Sequence, residues 1–269
     1  MPNLNFVART LDDYIVRDGL EAVSFLNEPY YLVGGIATQS YLPTSCRRPT
    51  SDIDFSVVRP LNFKDFKLMI PLVRENLHDK GYTTEVKKHS RAYALNISNP
   101  EGEGLCLEFS RRSKQDFDKK EKRLERELKN ANDKIIEGRE STYKVCCVED
   151  IAVPKLVRSI NSVGRNPHFF KYIPGEIIPL TDEEIKRQLE EIYEIREEAM
   201  ISLSNPELAE KLRFFSDLYD IRILSEITGF NEKRLAKVEV EWDTFNKPFG
   251  IIEREAKERL VKSVLPKFL

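Results

Sequence analysis

Three carboxylates stand out by their positions. In SDIDFSVV, Asp52 and Asp54 flank Ile53 at the head of an apolar run, and in LCLEFS Glu108 lies between Leu107 and Phe109. Strand alternation sends Asp52 and Asp54 to one face. Two carboxylates that close resist joint burial unless a cation lies between them. Mg²⁺ suits them, because it takes carboxylate oxygens together with phosphates and water. A lone Glu in an apolar strand is costly to bury unpaired. Beside the strand of Asp52 and Asp54, Glu108 would complete a two-metal cluster, which stabilises attacking and leaving oxygens in phosphoryl or nucleotidyl transfer. Two plainer readings stay open: a solvated strand start for the aspartates, and an ion pair of Glu108 with Arg111 or Arg112.

The same chemistry gives meaning to Gly34 and Gly35, which follow the short apolar run Tyr30–Val33. A glycine pair between a strand and a helix permits unusual backbone angles and close approach of a ligand. A helix starting at Ile36 would also point free N–H groups at that ligand, which favours phosphate. The plainer reading is a turn and nothing more.

These residues need elements to hold them. Apolar spacing predicts a helix over 7–28, a strand over 30–33, a helix over 36–41 and a strand over 53–58. A helix over 62–79 ends at Gly81, and strands over 82–87, 91–98 and 105–110 follow, the last two separated by the turn-forming NPEGEG. Residues 114–134 form a mixed-charge helix whose basic groups are nearly balanced by acids, and TYKVCCV forms a short strand. A helix over 149–160 must place Pro154 in its first turn or be kinked by it. Residues 161–180 are a Pro/Gly-rich loop, within which RNPHFFKYIPG interleaves aromatic and basic groups. That composition suits stacking on exposed bases or, more simply, packing of the loop onto its own domain. Thr181 and Glu184 have the capping-box form, opening one helix, and another runs from Pro206 to Gly229. The whole is an α/β domain with a mixed sheet followed by a helical domain, divided near residue 140.

Bulk composition agrees. The 269 residues suffice for one large or two modest domains, and 33% charged against 41% apolar suits a globular protein with a charged surface. No run is long enough to span a membrane, and the start lacks a secretory signal's apolar core, so a cytoplasmic protein without a membrane partner is expected. Cys46, Cys106, Cys146 and Cys147 form no CxxC pair and are read as reduced structural thiols. With only His78, His89 and His168, a histidine-based metal site is not expected. The net charge of −2 neither promotes nor excludes nucleic acid.

Taken together, the glycine pair, the Asp-x-Asp and the third acid resemble the nucleotidyltransferase superfamily that includes DNA polymerase β. More narrowly the chain resembles the AbiEii-type nucleotidyltransferases, the toxins of type IV toxin–antitoxin systems. GGIATQSYL followed by RRPTSDIDF puts Arg48, Thr50, Asp52 and Asp54 in the family's places. VEDIAVPKLVRS resembles its lysine-bearing helix, with the lysine at Lys155, and FFSDLYDIRIL resembles its DLYD helix, with Asp217 and Asp220 on the motif. The chain departs in two ways. Residues 161–205 intervene with a helix of their own, and Ser216 stands where an arginine usually precedes the first aspartate, leaving Arg213 or no residue to supply it.

The resemblance implies an α/β (α+β) nucleotidyltransferase domain over 1–140 and a helical domain over 141–269 that completes the nucleotide and acceptor cleft. Its reaction moves an NMP from NTP to an acceptor hydroxyl, with tRNA as the acceptor and a cognate antitoxin as partner. Asp52, Asp54 and Glu108 would hold Mg²⁺. Gly34, Gly35, Arg48, Thr50, Ser51 and Lys155 would bind the nucleotide, with Asp217 orienting Lys155 or a substrate hydroxyl. Two rivals remain: nucleotidyl transfer to a small molecule or protein, and a nucleotide- or RNA-binding module without catalysis.

Overall fold

The computed structural model describes residues 9–169, 180–199, 205–241 and 251–264. The chain divides into two compact units, Met1–Cys147 and Val148–Leu269.

The first unit is built on a seven-stranded mixed sheet in the order β3-β4-β5-β2-β1-β7-β6. Its strands are β1 Tyr30–Val33, β2 Asp52–Val57, β3 Thr83–Lys88, β4 Ala92–Ser98, β5 Gly104–Ser110, β6 Asn132–Ile135 and β7 Thr142–Val145. β2 runs parallel to β5 and β1 parallel to β7, while the remaining pairs are antiparallel. Ile53, Leu107 and Leu95 share one face, which burial strips from water. Helix α1 (Tyr14–Ser24) packs there through Gly19, where even a methyl group would come within 3.1 Å of Leu107 Cδ2. Phe66 of α3 (Phe63–Met69) adds an aromatic cluster with Tyr93 and Phe109. Alternation puts Asp52, Asp54 and Ser56 on the opposite face. There Tyr31, paired with Ser56, donates its hydroxyl to Glu127 of α5 (Lys114–Asn130).

Several boundaries differ from expectation for identifiable reasons. The first helix begins at Tyr14, because Arg9 pairs its backbone with Thr50 (2.7 and 2.8 Å) instead of turning into a helix; residues 7 and 8 of the expected helix lie outside the described residues. The single helix over 62–79 is two, α3 and α4 (Pro71–Asp79), because Pro71 has no N–H to give to a continuing helix and takes the first position of the next. Residues 132–134, expected as the end of a helix, belong to the edge strand β6, Asn132–Ile135. That strand is largely exposed and so carries no apolar alternation to announce it.

Among the described residues the second unit is helical: α6 Val148–Arg165, α7 Asp182–Ala199, α8 Pro206–Ile227, α9 Glu232–Glu241 and α10 Ile251–Val264. Its core gathers Leu156, Ile160, Phe214, Leu218 and Leu260. The capping box forms, with Thr181 N donating to Glu184 at 2.9 Å and Glu184 N donating to Thr181 Oγ1 at 3.2 Å. Pro154 lies inside α6, beyond its first turn, and α6 runs on into the stretch expected as a loop. Residues 170–175 of the aromatic–basic segment lie outside the described residues. No described helix is long and apolar enough to cross a membrane.

Candidate active site

Register brings the three acids together. Asp54 on β2 sits opposite Glu108 on the parallel neighbour β5, with Asp52 opposite Cys106 one row away. One carboxylate oxygen from each of Asp52, Asp54 and Glu108 lies within 4.8 Å of the others, and all three side chains are half-buried. Asp52 is oriented by the hydroxyl of Thr50, which donates to its Oδ1 at 2.9 Å. Thr50 is in turn held by the backbone pairing with Arg9.

Gly34 explains half of the glycine pair. It follows β1 directly, has φ +76° and faces Asp54, whose row partner on β1 is Val33. A Cβ at this position would lie 2.0 Å from Asp54 Oδ2, so the carboxylate rests where any other residue would put its side chain. At Gly35 a Cβ would come within 3.0 Å of Thr50 Oγ1. Both glycines therefore make room for acid-bearing or acid-orienting side chains. They open the short helix α2, Gly34–Gln39. Gln39, at its end, accepts from Leu11 N (2.7 Å) and donates to Arg48 O (2.8 Å), which ties down the loop leading to Ser51 and Asp52.

Glu108 has a perturbed proton affinity. Burial raises its pKa above the usual carboxylate range, Asp52's charge adds to the rise, and His89 pulls the other way. Its partner is neither Arg111 nor Arg112, the latter donating instead to Val57 O and Ser56 Oγ. It is His89, whose Nδ1 lies 3.2 Å from Glu108 Oε1. No spacing rule singles out His89 in the sequence: it stands on the β3–β4 connection, two strands away from Glu108. Cys106, in the row of Asp52, is a buried free thiol. Burial foremost, and then the charges of Glu108, Asp52 and Asp54, push its pKa up and keep it protonated.

The donor set fits a hard divalent cation. Three carboxylates converge on one point, and burial first and the charge of Asp52 second raise the pKa of Glu108, a condition that a bound cation would relieve.

Lys155 and Asp217 form a cluster of their own in the second unit. Lys155 is 4% exposed, and its Nζ lies 3.2 Å from Asp217 Oδ1 and 2.8 Å from Asp220 Oδ2. Arg158 meets Asp217 with two nitrogens, each at 2.6 Å. Two cations and two carboxylates thus join α6 to α8.

No protein-family model matches the chain, and no curated protein matches it. Three solved structures are among those to which the chain is similar. One is an antigenic nucleotidyltransferase-like protein from Paracoccidioides brasiliensis, at 16% identity over 74% of this chain and 89% of that one, with a TM-score of 0.35. The nucleotidyltransferase toxin MenT4 from Mycobacterium tuberculosis is similar at 13% identity over 92% and 90%, also with a TM-score of 0.35. Terminal uridylyl transferase 4 from Trypanosoma brucei, with bound dUTP, is similar at 13% identity over 81% and 68%, with a TM-score of 0.24.

Proposed function

We propose that the protein is a divalent-cation-dependent nucleotidyltransferase that moves an NMP from NTP to an acceptor hydroxyl. The observation that carries the proposal is the convergence of Asp52, Asp54 and Glu108 on two adjacent parallel strands. Binding a ligand does not by itself call for three clustered acids, whereas phosphoryl transfer does. The residues that would hold the cation are these three, and Mg²⁺ bound there would neutralise charge on the triphosphate and on the oxygens entering and leaving phosphorus.

The chain's own residues supply the rest. Thr50 keeps Asp52 turned toward the other acids, and Gly34 lets Asp54 lie against the backbone. The phosphates would rest against Gly34 and Gly35, with the hydroxyls of Thr50 and Ser51 and the guanidinium of Arg48 beside them. The acceptor oxygen forms its bond to the α-phosphorus as the bond to pyrophosphate breaks. Glu108 would help hold the cation beside the acceptor hydroxyl, whose proton leaves to solvent water. Lys155 and Asp217 enter as the braced pair that fixes α6 against α8. The AbiEii resemblance adds tRNA as the acceptor and a toxin-like role with an antitoxin.

The test is incubation of the full chain with Mg²⁺, each α-labelled NTP in turn and total tRNA, beside an Asp52→Ala control. Label on RNA from wild type and none from the variant is expected. Label that stays on free nucleotide removes tRNA as the acceptor. Absence of any calorimetric NTP binding in the presence of Mg²⁺ removes the enzyme reading itself.

A further inference from the structure

The β3–β4 hairpin reaches into the acidic site from an unexpected distance. β3 and β5 are separated by β4, so their backbones are about 9.6 Å apart at the usual strand spacing. A side chain from the β3 side meets Glu108 only if the intervening strand leaves room. Of the β4 residues on the face of Glu108, the two that lie between it and His89 are Ala94, opposite Glu108 itself, and Ala92, opposite Ser110, with Asn96 and Ser98 farther along the strand. Both alanines carry only methyl groups. His89 N donates to Ala92 O at 2.9 Å, which fixes the hairpin's end, and the imidazole Nδ1 then lies 3.2 Å from Glu108 Oε1.

A carboxylate that holds a cation is ionised and only accepts hydrogen bonds, so the Nδ1–H tautomer of His89 is the one that supports Glu108 in that role. The bond holds the Glu108 carboxylate in one rotation and directs its remaining lone pairs. Carboxylate ligands held this way bind a cation with less rotamer entropy to lose, and loss of such a supporting partner typically weakens metal affinity 10–100-fold. His89 is 44% exposed on its side chain, so packing of the core does not account for its placement.

We infer that His89 is a positioning residue for Glu108: it orients that carboxylate toward the shared cation site from across β4. The inference rests on the cation reading of the proposed function, and the test separates the two. Mn²⁺ alone is titrated calorimetrically into wild type, His89→Ala, His89→Asn, Glu108→Gln and the His89→Ala/Glu108→Gln double variant, with melting temperatures recorded for each. His89→Ala is expected to bind Mn²⁺ about 10-fold more weakly at an unchanged melting temperature. His89→Asn, whose amide nitrogen takes the place of Nδ1, is expected to recover most of the affinity. In the Glu108→Gln background the loss of His89 should add little, because the partner through which it acts is already neutral. Wild-type affinity in His89→Ala overturns the inference while leaving the proposed function intact. A further full loss in the double variant, or no recovery with Asn, shows that His89 does not act through the Nδ1–Glu108 bond and overturns it too. Absence of Mn²⁺ binding to wild type overturns both.

Discussion

Gly34→Ala separates two roles that one glycine performs. The first is conformational: φ is +76°, where an L side chain costs roughly 1–2 kcal/mol. The second is spatial: the added Cβ would start 2.0 Å from Asp54 Oδ2, and real Cβ contacts essentially never fall under 3.0 Å, so the carboxylate must retreat by about 1 Å. Gly81 supplies the control, since its φ is +86° and an added Cβ would meet nothing within 4 Å. Gly81→Ala should therefore lose the conformational share alone, about 1–2 kcal/mol in urea unfolding, and keep full Mn²⁺ affinity. Gly34→Ala should lose at least as much stability. It should also lose Mn²⁺ binding, and nucleotidyl transfer should fall about 100-fold, the typical cost of a 1 Å misplacement in a catalytic constellation. Equal Mn²⁺ affinity in the two variants would refute the reasoning, because it would show that Asp54's placement does not depend on the bare backbone at Gly34.

Lys155→Met should destabilise the second unit by about 3–5 kcal/mol, because Asp217 and Asp220, each 1% exposed, lose a buried cation partner. Arg158→Ala should cost far less, since Arg158 is half in solvent and Asp217 keeps Lys155; urea unfolding of both variants checks the order. The tyrosines give a pH dependence of definite sign. Burial, helped by Asp133, raises Tyr30 from 10.0 to about 12, and burial with neighbouring carboxylates raises Tyr31 and Tyr82 as well. A pKa raised on folding contributes stability that is complete below the unfolded value of 10.0 and is lost as pH climbs beyond it, for Tyr30 between pH 10 and about 12. Unfolding free energy should fall above pH 10 by up to about 1.4 kcal/mol per pH unit for each such tyrosine. Absorbance at 295 nm should show these groups ionising well above pH 10, and free titration near pH 10 in the native state would contradict the upward shifts.

Much of the site was legible because its signals are local. Asp52 and Asp54 share a face by strand alternation, Thr181 and Glu184 cap a helix through bonds three residues apart, and Pro206 and Gly229 bracket α8 by backbone preference alone. The misplaced boundaries fall where longer-range effects overrule local ones. The backbone of Arg9 pairs with Thr50 before α1 can begin, and Asn132–Ile135 becomes a strand only because β7 is there to pair with it. Glu108 was visible as an acid in an apolar strand, yet which strand would lie beside it is a matter of sheet order. The parallel pairing of β2 with β5, reached across two intervening strands of sequence, is what turns three scattered carboxylates into one cluster. His89 and the bracing of Lys155 belong wholly to that level. The first depends on two alanines leaving room across β4, and the second on helices α6 and α8 packing so that Lys155 meets acids 62 and 65 residues away. Residue types and their near spacing determine what chemistry a chain can offer. Register and packing decide which groups share a site, because burial and hydrogen-bond satisfaction are properties of the assembled sheet and bundle, not of any single segment.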